Sequence, residues 1–204
     1  MDIILSFIAA TALLAIAPGP DNIYVLVTSI ADGVKYGLAT VFGLISGCII
    51  HTTLVALGVS AIIKDNENLF LALKIFGASY LVFLAYKVYK SSSNINLATD
   101  IKVEKSMFQL FKRGFIMNVL NPKVSIFFLA FFPSFLFSNE LSTVIQFFIL
   151  GFIFMAVSLI VFSVIAILSG QIAKGLKQNK NMSRFLKWLQ IIVFVGIAIF
   201  ILFS

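Results

Sequence analysis

Apolar residues dominate the chain in runs long enough to cross a membrane, separated by short polar stretches. A helix needs about 20 apolar residues to traverse the hydrocarbon core. By that measure the pattern predicts six spans: Ile3 to Ala31, Leu38 to Ile63, Leu69 to Tyr89, Gly114 to Phe137, Leu141 to Leu168 and Phe185 to Phe203. The fifth is too long to stand upright and is expected to tilt or extend into water. The one long polar linker, Lys90 to Lys112, divides the spans three and three. An odd number on each side makes the second half enter the membrane upside down relative to the first, the layout of inverted-repeat transporters. The predicted fold is all-α: a polytopic membrane protein of six transmembrane helices in two inverted three-helix repeats. It forms one domain over residues 1–204, with pseudo-repeats 1–90 and 108–204 joined by a loop at 91–107.

Two spans are interrupted. In "APGPDN", Ala17 to Asn22, Pro18 and Pro20 remove backbone donors and Gly19 loosens the chain, so the first helix is expected to break in mid-membrane. Proline suits the first turn of a helix, so a second half-helix restarts at Pro20 with free N–H groups near Asp21 and Asn22. Such a helix end favours anions such as a carboxylate. Span four repeats the device in "NVLNPK", where Asn121 is placed to cap the helix that Pro122 begins. Counted from the cytoplasmic ends of their spans, Asp21 and Lys123 both lie about 14 Å deep, near the midplane. Charges at that depth pair with one another or mark a pathway. Two readings stay open: a fixed ion pair joining the halves, or groups that alternate between each other and a substrate's ammonium and carboxylate.

Span two carries "GLISGCIIH", with Gly43, Gly47 and His51 four apart on one helix face. The glycines read as a helix-packing seam. His51, near mid-span, is either a hydrogen-bonded strut or a proton or substrate site. Lys74, near the end of span three, is expected to snorkel, and Tyr80 to pack.

Composition agrees with a membrane protein: 61% of residues are hydrophobic, 23 are Phe and 11% are charged, against 45–50% apolar in soluble domains. The formal charge of +7 would suit nucleic acid in a soluble chain, but the basic residues gather at span ends and set orientation instead. Twelve of the fifteen Lys and Arg lie in or at the edges of the connections after spans one, three and five, which makes those connections, including 91–107, cytoplasmic and directs both termini outward. "AIA" at Ala15 to Ala17 resembles a signal-peptide cleavage site, yet the preceding region lacks Lys and Arg and Pro18 follows, so the segment is read as a mature span. The single Cys48 excludes an intrachain disulfide and a two-thiol metal or redox site. No phosphate loop, metal-binding cluster or Ser-His-Asp arrangement is recognisable, so neither a metal nor a cofactor is expected, and the chain is read as no enzyme and no ATP-driven pump.

"APGPDN", "GLISGCIIH", "LKIFGASYLVFLAYK" and above all "FKRGFIMNVLNPKVSIFFLAFFPSF" together resemble the lysine-exporter family, which includes the homoserine and threonine exporters. The resemblance runs over essentially the whole chain. It implies a dimeric, multi-pass exporter of amino acids or close derivatives in the bacterial inner membrane, driven by an ion gradient. The matching motif positions are Pro18, Gly19, Pro20, Asp21 and Asn22, then Asn121, Pro122 and Lys123. Many relatives place an acid after the second glycine of the span-two motif; Cys48 stands there in this chain and argues against a cationic substrate. Distant membrane thiol relays share a related architecture but need paired cysteines.

The resulting expectation is an alternating-access exporter of a small zwitterionic amino acid in the lipid bilayer, coupled to H+. The N–H groups at the two breaks and Lys123 would hold the substrate carboxylate, Asp21 the ammonium, and Asp21 or His51 the coupling proton. The rival reading is a non-transporting membrane subunit or scaffold whose prolines merely kink helices.

Overall fold

The computed structural model describes residues 2–65, 67–91, 106–178 and 180–203, and every regular element among them is helical. Four helices are long and apolar enough to cross a membrane, and two bent pairs raise the number to six if each pair is one span. The bent pairs are the two predicted breaks. Helix α1 (Asp2–Ile16) meets α2 (Pro20–Asp32) at 60°, and α6 (Met107–Val119) meets α7 (Pro122–Ile126) and its continuation at 48°. Between them, α3 (Val34–Leu54) runs through a π turn at Val55–Val59 into α4 (Ser60–Asp65), and α5 (Glu67–Lys90) follows. After α7 come a π turn at Phe127–Phe131 and a 3-10 turn at Phe132–Phe135, then α8 (Thr143–Ile167), α9 (Ser169–Gln178) and α10 (Lys180–Phe203). The predicted linker 91–107 falls almost wholly outside the described residues.

Several helices start earlier than the apolar runs: α3 at Val34, α6 at Met107 and α10 at Lys180, in place of Leu38, Gly114 and Phe185. Hydropathy marks only the lipid-embedded part of a helix, whereas backbone hydrogen bonding continues into the polar zone. The fifth run is one helix, α8, ending at Ile167, and α9 is a separate helix beyond it over residues that carry Lys174 and Lys177. The α2–α3 corner is so tight that Gly33 adopts φ 103, a conformation open to glycine and strained for other residues.

Helices α3 and α6 form the closest seam. A Cβ on Gly43 would lie 2.0 Å from the Phe111 carbonyl oxygen, and one on Gly114 would lie 2.3 Å from that of Thr40, so only bare backbones allow this approach. A phenylalanine stack fills the core beside it. Phe128 lies 4.1 Å from Phe132 and 4.8 Å from Phe154, while Phe7 packs edge-on against Phe132 at 5.0 Å and Phe135 at 5.2 Å. Other large apolar side chains, such as Phe42, Phe76, Phe152 and Phe203, face outward, as lipid contact requires. Lys187 of α10 donates to the carbonyls of Tyr89 and Ser91, closing the end of α5 beside an edge-on Tyr89–Trp188 pair.

Candidate functional site

A proline in a helix leaves the carbonyl four residues earlier without its usual donor. Pro18 strands Leu14 O in this way, and Pro122 strands Asn118 O. Each is satisfied by a side chain from the opposite half of the chain. Lys123 Nζ donates to Leu14 O and to Ala17 O, both at 3.1 Å. His51 Nε2 donates to Asn118 O at 3.1 Å, and the Asn121 N–H donates to the same oxygen at 2.9 Å. A further acceptor of the first break, Ala15 O, takes the Asn22 side-chain amide at 2.7 Å.

The amide ends of the restarted helices differ. Gly19, extended, precedes Pro20 with no side-chain cap. Asn121 caps α7 through its Oδ1, which accepts from Lys123 N at 3.0 Å. The other end of the same side chain, Nδ2, donates to Asp21 Oδ2 at 2.6 Å and so ties the two breaks together. No direct ion pair joins Asp21 to Lys123 among the described residues; Asn121 and the Leu14 and Ala17 carbonyls take those positions. Asp21 is buried, and its Oδ1 has no hydrogen-bond partner.

Asp21 and Lys123 share a small cavity with Cys48, Asn118, Phe154 and Ser158. Its free volume is about 20 Å³, room for one water molecule. Cys48 lies 3.7 Å from Asn118 Oδ1 and 3.6 Å from Leu44 O. Ser158 Oγ is buried without a partner. The cavity's two charges are opposite, so its chemistry suits a dipolar ligand, and no cluster of three metal-binding side chains occurs among the described residues.

The structure thus gathers Gly19, Asp21, Asn22, Asn121 and Lys123, which the sequence singled out. Pro20 and Pro122 are exposed and do not line the small cavity, although each opens a half-helix that bounds it. Pro18 faces a separate groove along α8. Gly43 and Gly47 lie in the α3–α6 seam, where a Cβ on Gly47 would come within 2.7 Å of Asn118 Oδ1. His51 is buried one turn beyond Cys48 and holds the end of α6. Two polar residues of the cavity are not evident as site residues from the sequence. Asn118 lies within "NVLNPK" with no local signal of its place there. Ser158 carries a usable signal, a hydroxyl in the middle of a strongly apolar run that it shares with Ser163.

Residues 12–204 match the family model described as LysE type translocator. The homoserine/homoserine lactone efflux protein of Salmonella typhimurium is 32% identical over 177 residues, covering 87% of this chain and 85% of that protein. The leucine efflux protein of Klebsiella pneumoniae is 28% identical over 195 residues, 95% and 92% of the respective chains. No solved structure matches the chain.

Proposed function

We propose, on the premise that this chain belongs to the LysE type translocator family, that it exports small neutral amino acids or close derivatives across the bacterial inner membrane. A translocator is not an enzyme, and membership of such a family leaves the scaffold reading without support. The observation that carries the proposal is the crossed bonding of the two breaks around a cavity holding one buried carboxylate with a free oxygen and one ammonium. A zwitterion cancels both charges at once. The substrate ammonium goes to Asp21 Oδ1 and its carboxylate to Lys123. A cationic side chain would need a second acid, and Asp21 is the sole carboxylate among the described residues that line this cavity.

A free volume of one water molecule admits no amino acid, so this is a closed state of an alternating-access cycle. The two halves act as inverted repeats that rock about the central site, with both termini outside. Asp21 exchanges the coupling proton with the substrate ammonium, while His51 positions the end of α6. Purified protein in vesicles loaded with labelled leucine, homoserine or lysine, under an imposed pH gradient, tests the reading. Gradient-dependent efflux of the neutral amino acids with little lysine efflux is expected; preferential lysine efflux would overturn it.

A further inference from the structure

An apolar groove of about 310 Å³ runs on the far side of the first break, between α2, α8, α9 and the start of α10. Its walls include Ile23 and Leu26 of α2, Val161 and Ile165 of α8, and Ile172 and Leu176 of α9. Ligand pockets span roughly 300 to 1,000 Å³, so the groove has the space that the central cavity lacks. Its inner end is polar. Asn22 lines it, is 7% exposed, and leaves Oδ1 without a partner while its amide holds Ala15 O. Gly19 separates that oxygen from the Lys123 ammonium: a Cβ there would lie 3.7 Å from Asn22 Oδ1 and 3.5 Å from Lys123 Nζ. An unpaired acceptor that lines the groove's inner end and an ammonium from the central cavity therefore flank one bare glycine.

We propose that this groove is the side-chain subsite of the transported molecule, and that it selects amino acids with aliphatic side chains. The substrate's polar head sits over Gly19, its carboxylate toward Lys123 and its ammonium toward Asn22 Oδ1 and Asp21. The side chain lies along Val161 and Ile165, where a hydroxyl would meet no partner. The inference rests on the central-site reading given above and adds the class of side chain to it.

Val161 is only partly buried, so Val161→Phe fills the groove with little strain on the core. In reconstituted vesicles this variant is expected to lose leucine efflux about tenfold or more, while alanine, whose methyl group is too short to enter, leaves at the wild-type rate. The near-isosteric Val161→Thr keeps the shape and is expected to shift preference from leucine toward homoserine. Equal loss of leucine and alanine efflux by folded Val161→Phe, or unchanged leucine efflux, would overturn the subsite. Asp21→Asn, measured in parallel, separates this from the central site, because failure of that site shows as undiminished efflux of every substrate. A lipid chain as the true occupant would show as quenching of Val161→Trp fluorescence by bromine-labelled lipid that excess leucine does not relieve, and that result also overturns the proposal.

Discussion

The two breaks use the same proline chemistry and are held in opposite ways. At the first, the stranded carbonyls of Leu14 and Ala17 are met by a charged side chain from the other half, and the restarting helix has no cap of its own. At the second, the stranded carbonyl of Asn118 is met by a ring nitrogen, and Asn121 caps the restart. The first break thus depends on the second for its ammonium, and the second lends its cap back through Asn121 to Asp21. The lesson is that neither interruption is a self-contained kink. Each is completed by residues 67 to 109 positions away in sequence, so the pair forms one unit.

Removing the lender should do the most damage. Lys123→Met leaves the Leu14 and Ala17 carbonyls unpaired and the Asp21 carboxylate uncompensated; we expect efflux at background and a loss on the order of 3 kcal/mol in stability, read by thermal unfolding in detergent. Asp21→Asn should abolish efflux with far less effect on unfolding, since an amide oxygen still accepts from Asn121; efflux at the wild-type rate would remove Asp21 from the transport step. Asn121→Ala removes both the cap and the link between breaks, and a cost of about 1–2 kcal/mol with partial efflux is expected. A variant far from either break provides the contrast. Gln146 stitches the 137–141 turn with four hydrogen bonds, accepting from the N–H groups of Phe137 and Ser138 and donating to the carbonyls of Ser138 and Leu141. Gln146→Ala should cost about 2 kcal/mol while efflux per folded molecule stays unchanged.

What the sequence disclosed follows from the range of each interaction. Proline and glycine act on their own backbone, so both breaks and the Asn121 cap were legible at the right residues. The partners were not, because nothing local tells Lys123 to seek Leu14 O and Ala17 O in preference to Asp21. His51 stood undecided between strut and proton site in the sequence; its bond to Asn118 O depends on α3 and α6 touching through Gly43, Gly47 and Gly114. Helix α9 was hidden because its residues are too polar for a span and too few for a confident periodic signal. The groove it helps to wall needs four elements to meet and was invisible for the same reason.

The phenylalanine stack next to the cavity has one more effect. Phe154 lines the cavity, Phe128 and Phe132 continue from it, and Phe7 and Phe135 follow. None of these rings carries a group that can hand a proton onward, and close packing leaves no file of water between them. On the proton-coupled reading proposed above, the stack would act as an insulator: it would interrupt a proton wire along its length and keep the gradient from being short-circuited while the protein idles.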